Sequence, residues 1–187
     1  MINRRAFALG TACMPVGLGM SKRATAATAN TKAPTPKLAD GLSHAAESIH
    51  QQIPFTVDRR RVYRALTDTQ QFDAITRLSE AASLLTAADA RPTSISATPG
   101  GAFALFGGYV TGQNVELQQD ERIVQVWRAA SWPAGAYSIA SFQLVDVSGG
   151  SKLTFDHRGF PDGQGSELAN GWHINYWKPM AKFFAQA

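Results

Sequence analysis

The chain has 187 residues, 44% of them hydrophobic and 17% charged, enough for one hydrophobic core and too apolar for an extended, solvated polymer. Its single cysteine excludes a disulfide framework, and its four histidines (His44, His50, His157, His173) follow no HxxxH or HExxH spacing, which argues against a metal site. The formal charge of +4 suggests a basic surface only until its position along the chain is considered.

Near the N-terminus stand Asn3-Arg4-Arg5-Ala6-Phe7, and Ala6 to Met20 carries no charge. That stretch is interrupted by Gly10, Pro15, Gly17 and Gly19, so it is too short and too broken for a stable membrane span. Lys22 and Arg23 follow it, and Ala24-Thr25-Ala26 and Ala27-Thr28-Ala29 place small residues at cleavage spacing. A lipoprotein reading would use Cys13, but Gly10-Thr11-Ala12 is a poor lipobox. The pattern resembles a bacterial twin-arginine export signal. It implies Arg4, Arg5 and Phe7 as the export motif, a cut after Ala29, the twin-arginine translocase as a transient partner, and work in the periplasm or beyond. Residues 1–29 are then an address. Their four cations (Arg4, Arg5, Lys22, Arg23) are accompanied by no acid, so without them eighteen Lys plus Arg become fourteen, against fourteen Asp plus Glu. No basic surplus remains to meet a nucleic-acid backbone.

Asn30 to Leu42 is rich in Pro, Thr, Lys and Ala without apolar period, and residues 30–46 read as a flexible linker. The globular domain is expected over 47–187. Glu47 to Phe55 alternates loosely and predicts a first strand ending near Pro54. Asp58 caps a helix over Arg59 to Leu66, whose Arg59-Arg60-Arg61 run reads as a solvated first turn. Asp68 caps a second short helix, with Gln71 placed to reach back and Phe72, Ile75 and Leu78 on its buried side. The alanine-rich stretch Ser79 to Ala90 fits helix or loop, and is placed where a lid or entrance would sit.

Six β-rich segments follow: Thr93–Thr98, Ala102–Phe106, Tyr109–Gln118, Arg122–Ala130, Tyr137–Val147 and Lys152–Arg158. Short glycine-, proline- and aspartate-bearing turns separate them, so neighbours should pair antiparallel. Gly100-Gly101 and Gly107-Gly108 read as turns or bulges. Ser166 to Phe184 predicts a helix with two apolar stripes: Leu168, Trp172, Tyr176 and Phe183 on one, Ile174, Trp177, Ala181 and Phe184 on the other. A helix apolar on two sides is gripped by something curved, and Pro179 should kink it. The fold class is α+β: a curved antiparallel sheet of about seven strands around a long C-terminal helix, with two short helices after the first strand.

An ordered set of motifs spans Ile49 to Phe184. It comprises Val62-Tyr63-Arg64-Ala65-Leu66-Thr67-Asp68, Gly100-Gly101-Ala102-Phe103, Phe106-Gly107-Gly108, Gly112, Val115-Glu116-Leu117, Glu121-Arg122-Ile123-Val124, Trp127, Leu153-Thr154-Phe155-Asp156-His157-Arg158-Gly159 and Gly171-Trp172. Together these resemble the SRPBCC (START/Bet v 1-like) superfamily, and within it the Hsp90-ATPase-activator-homologue-like group. The resemblance implies a helix-grip fold with a cavity between sheet and C-terminal helix. Many members carry a tryptophan just after the second short helix; here the stretch is Phe72-Asp73-Ala74-Ile75-Thr76-Arg77, so any ligand contact made there does not carry over.

Such a cavity suits an apolar or amphipathic small ligand, and Phe103, Phe106, Tyr109, Trp127, Phe142, Phe155, Trp172 and Tyr176 are candidates to line it, beside their ordinary role as core. His157 shares the strand face of Leu153 and Phe155. It is either a ligand contact and proton shuttle, weakly seconded as a catalyst by Tyr109, or a satisfied core histidine. No Ser/His/Asp spacing, paired carboxylates or phosphate-binding glycine loop is visible, and no cofactor is implied. Three functions follow in order: an exported small-molecule binding protein, an enzyme of the polyketide cyclase or hydrolase type, and a chaperone cofactor of the Hsp90-activator type. The last is disfavoured by export, because Hsp90 and its ATP are cytosolic.

Overall fold

The computed structural model describes residues 47–186. The expected export motif at Arg4, Arg5 and Phe7, the cut after Ala29 and the whole linker lie outside them. Within them, one seven-stranded antiparallel sheet has the order β1-β7-β6-β5-β4-β3-β2. Its strands are β1 (Ser48–Phe55), β2 (Ser94–Ile95), β3 (Ala102–Leu105), β4 (Val110–Gln118), β5 (Arg122–Ala129), β6 (Ser138–Val147) and β7 (Gly150–Arg158). Strands β2 to β7 form a meander, and β1 closes onto β7. This makes β1 an edge strand, where Pro54, lacking an N–H, is tolerated.

Two short helices carry the chain from one sheet edge to the other: α1 (Arg59–Thr67) and α2 (Thr69–Thr76). The Asp58 carboxylate accepts the Arg61 N–H at 2.8 Å, starting α1. Asp68 does double duty. Its own N–H closes α1 on the Arg64 carbonyl at 2.8 Å, while its carboxylate accepts the Gln71 N–H at 2.9 Å and opens α2. The arginine run is more than a solvated turn: Arg59 pairs with Glu121 and Asp146, each at 3.2 Å, and Arg61 lies 5.7 Å over the Phe184 ring. These exposed pairs each contribute roughly 0–1 kcal/mol, but together they orient α1 on the sheet.

After α2, Glu80–Thr86 forms a 3-10 segment. The strand expected over Thr93–Thr98 is paired only at Ser94 and Ile95. Side chains compete for the remainder: Thr93 donates to Asp73 at 3.0 Å, and Ser96 bonds Thr98 at 3.1 Å as the chain turns into Gly100. The register of β4 against β5 slips between Asn114 and Glu116, leaving Val115 as a bulge. The bulge coincides with a buried polar stitch, in which Asn114 donates to the Ser96 carbonyl at 2.8 Å and accepts from Gln125 at 2.9 Å.

The C-terminal helix runs as α3 (Gly165–Trp172), a π-helical turn (His173–Trp177) and α4 (Lys178–Ala185). Proline explains the turn. Pro179 has no N–H for the Asn175 carbonyl, so the helix widens and the Lys178 N–H reaches back to His173. The widening brings residues five apart over one another: Trp172 and Trp177 stack at 17°, centroids 5.6 Å apart. It also shifts the apolar phase beyond it, so Pro179, Met180 and Phe184 are buried and the expected Ala181 is exposed. Trp172, Tyr176 and Trp177 pack against inward residues of the sheet, among them Trp127, Phe142 and Phe155. The helix-grip architecture is the one expected from the order of elements.

Candidate functional site

Between the C-terminal helix and the β4–β5 end of the sheet the core does not close. A cavity of about 620 Å³ lies there, within the range of small-molecule pockets. Trp127 and Ala129 of β5, Val110 of β4 and Phe106 form the sheet side; Leu168, Trp172, Ile174 and Tyr176 form the helix side; Ala81 and Leu84 of the 3-10 segment and Trp132 complete the wall. The mouth is polar, with Tyr109, Ser131, Gln164, Glu167, Asn170 and Asn175.

Phe106 reaches this wall through an unusual backbone. It has φ 52°, followed by Gly107 at 69° and Gly108 at 90°, so three successive residues occupy the left-handed region. For a bulky residue that conformation is strained, and the ring's contacts with Phe72 (5.7 Å) and Tyr176 (5.2 Å) hold it. Gly107 is required for a second reason: a Cβ there would overlap the Leu84 carbonyl oxygen, so its absence lets the 3-10 segment close against the turn.

Most rim groups are matched internally. The Tyr109 hydroxyl bonds Ser131 at 3.0 Å, Trp132 donates to Gln164 at 2.7 Å, and Asn175 accepts the Ala81 N–H at 3.0 Å. The deep groups differ. Trp127 Nε1 and the Tyr176 hydroxyl are buried without a hydrogen-bond partner among the described residues. Burial raises the Tyr176 pKa above its ordinary 10.0, against a smaller opposing pull from the nearby Trp127 N–H, so the phenol stays protonated. The indole N–H is thus close enough to be felt by the phenol oxygen, without the geometry of a formed bond.

His157 stands one layer behind. Its side chain is fully buried, its ring 5.3 Å from Trp127 and 5.5 Å from Trp172, and it is absent from the lining of this cavity. An indole N–H only donates, so the 3.0 Å bond from Trp172 Nε1 makes His157 Nδ1 the acceptor and puts the ring proton on Nε2. Nε2–H then donates to Ser138 Oγ at 2.6 Å, and Ser138 donates to the Trp127 carbonyl at 3.1 Å. Burial pulls the His157 pKa down to about 4, consistent with a neutral ring.

A family model described as "Activator of Hsp90 ATPase homolog 1-like protein" matches residues 56–185. The chain belongs to this family. As a member, it is 27% identical over 130 residues to human "Activator of 90 kDa heat shock protein ATPase homolog 1", a match covering 70% of this chain and 35% of the relative. The chain thus spans about a third of the length of that curated relative. Among solved structures, an HSP90 activator from Plasmodium falciparum superposes with TM-score 0.64 at 21% identity, covering 74% of this chain and 96% of that one. CalU16 from Micromonospora echinospora superposes with TM-score 0.57 at 19% identity, covering 74% and 76%. At these identities the superpositions establish the fold alone.

Of the residues singled out in this family member's sequence, Phe106, Tyr109, Trp127, Trp172 and Tyr176 meet at the cavity. Tyr109 sits at its rim, 42% exposed. Phe103, Phe142, Phe155 and His157 are buried outside its lining. Trp132 was missed because it sits in the segment before Pro133, which reads as a turn. Its signal was residue type alone: it falls outside the alternation that runs through Trp127 and Ala129, but a tryptophan is costly to leave exposed. Ala81 and Leu84 carried no signal beyond the ambiguity of their segment. Among the described residues no cluster of three or more His, Cys, Asp or Glu could hold a metal ion, and no helix is long and apolar enough to cross a membrane.

Proposed function

We propose that this member of the Hsp90-activator-homologue-like family is an exported protein that binds a small apolar or amphipathic molecule in the cavity between sheet and C-terminal helix. The observation that carries this reading is the cavity itself: about 620 Å³, lined in depth by Phe106, Trp127, Trp172 and Tyr176 and open through a polar mouth. Export through the twin-arginine route rests on Arg4, Arg5 and Phe7 in the sequence, with Ala29 as the cleavage point and the translocase as partner. The periplasm is then where the ligand is met.

Two observations weigh against acid–base catalysis of the cyclase or hydrolase type. Both ring nitrogens of His157 are engaged, and burial keeps the ring neutral. Tyr109 is held at the rim by Ser131. The chaperone-cofactor reading draws on the printed names of the human relative and the Plasmodium structure, but the chain spans only 35% of that relative. Native mass spectrometry of the protein recovered from the periplasm tests the proposal. A co-purifying small molecule supports it; protein found only in the cytoplasm, or free of any adduct and unable to take up an apolar probe, contradicts it.

A further inference from the structure

Resting on that binding reading, we infer that the ligand is a neutral amphiphile whose head carries several hydroxyl groups, such as a sugar or glycerol unit. The head is held at the mouth by Gln164, Glu167, Asn170 and Asn175, and the apolar end fills the cavity. All four side chains belong to the C-terminal helix or its N-cap and line the opening. Glu167 and Asn170 are exposed and Gln164 and Asn175 half-buried, so a ligand reaches them from solvent. The pairing at the rim engages the amides through their oxygens only. Gln164 Oε1 accepts the Trp132 indole N–H at 2.7 Å, and Asn175 Oδ1 accepts the Ala81 backbone N–H at 3.0 Å. Neither of those donors can accept, so each amide NH2 is left as an unpaired donor among the described residues. Glu167 takes part in none of the ion pairs among them, and its carboxylate only accepts.

Spacing sets the size of the head. Gly171 stands four residues after Glu167 and four before Asn175, and a Cβ at Gly171 would meet no atom within 4 Å. The helix thus offers a bare notch flanked by an acceptor and a donor about 12 Å apart along its axis, too far for one hydroxyl to meet both. Chemistry sets its kind. The amide NH2 groups ask for acceptors, the carboxylate asks for donors, and a hydroxyl is both. Across the mouth, the Tyr109 and Ser131 hydroxyls spend one proton on their mutual bond of 3.0 Å and keep the other. An ether head supplies little but acceptors, and a quaternary ammonium supplies neither donor nor acceptor. An anionic head would meet Glu167, the sole charged residue of the lining, with no cation there to offset it.

Calorimetric titration of the full chain, below micelle formation and at one ionic strength, compares amphiphiles that share an octyl tail. Octyl β-D-glucoside carries the polyol, octyl tetraethylene glycol a chain of ether acceptors with one hydroxyl, octyltrimethylammonium a cation and octyl sulfate an anion. Methyl β-D-glucoside presents the head without the tail. Octyl glucoside should bind at least fivefold tighter than each of the other octyl compounds, and methyl glucoside should not bind measurably. The double variant Glu167→Ala, Asn170→Ala changes two exposed side chains. It should lose most of the preference while binding octyl tetraethylene glycol as before, which also shows that the cavity is intact. Equal binding of glucoside and ether, or tighter binding of either charged amphiphile, overturns the inference and leaves the cavity reading standing. A preference unchanged in the double variant overturns it too, as does methyl glucoside binding as tightly as its octyl counterpart, which would make the sugar alone the ligand. If no octyl compound binds, the cavity reading itself falls, and this inference with it.

Discussion

Trp172 donates its indole N–H to Nδ1 of His157 at 3.0 Å, tying the C-terminal helix to the middle of the sheet. The bond belongs to a relay running through Ser138 to the Trp127 carbonyl, so one helix and three strands share a single buried polar line. The helix face that bears Trp172 also forms one wall of the cavity. That wall is therefore held from behind by a histidine that does not line the cavity.

This gives a pH dependence with a definite sign. The folded-state pKa of His157 is about 4, against 6.5 when unfolded. Between these values the unfolded chain binds the extra proton, so this contribution is fully present above pH 6.5 and is lost as pH falls towards 4. The shift corresponds to about 3 kcal/mol. Urea denaturation of the protein and of His157→Gln at pH 7 and pH 4.5 should show the variant less stable at pH 7, by roughly 1–3 kcal/mol, and the gap narrowing at pH 4.5. A gap independent of pH would contradict the neutral, buried ring.

Gly107→Ala should destabilise the domain by roughly 1–3 kcal/mol, because its φ of 69° disfavours a side chain and its Cβ would overlap the Leu84 carbonyl. The effect should be local in origin. Hydrogen exchange over Glu80–Thr86 should rise more than exchange in β6 and β7. Uniform loss of protection, or none, would mean that the glycine does not hold the 3-10 segment in place.

Export has its own test. The Arg4→Lys, Arg5→Lys double variant should accumulate in the cytoplasm when fractionated beside the unaltered chain, and cleavage after Ala29 should vanish with it. Equal periplasmic recovery of both proteins would defeat the signal reading.

Much of the fold was legible because its elements obey short-range rules. Asp58 and Asp68 announce the starts of α1 and α2, and alternation with short turns announces a meander. The π-helical turn was only half legible. Pro179 predicts a disturbance, but its outcome, Trp177 stacked on Trp172 and Ala181 turned outward, depends on how the helix settles on the sheet. The cavity was legible as a class of feature, while its membership was not. Phe155 and Trp127 look alike in the sequence, and only the sheet's position relative to the helix puts Trp127 at the opening and Phe155 in solid core. The conditional placement of His157 was resolved in the same way, by Trp172 and Ser138 taking both of its nitrogens.

The central claim is that the cavity is a binding site, and Gly171 gives the most direct handle on it. Gly171 lines the cavity from α3, and a Cβ there would meet no atom within 4 Å. Gly171→Leu should therefore fill the space without displacing core, and should not lower stability, since glycine costs a helix interior about 1 kcal/mol relative to alanine. Titration of both proteins with the fluorescent apolar probe N-phenyl-1-naphthylamine decides the matter. The account predicts saturable binding to the unaltered chain, at least tenfold weaker binding to Gly171→Leu, and a melting temperature equal or higher in the variant. Equal binding by two equally stable proteins would place the probe elsewhere and contradict the account.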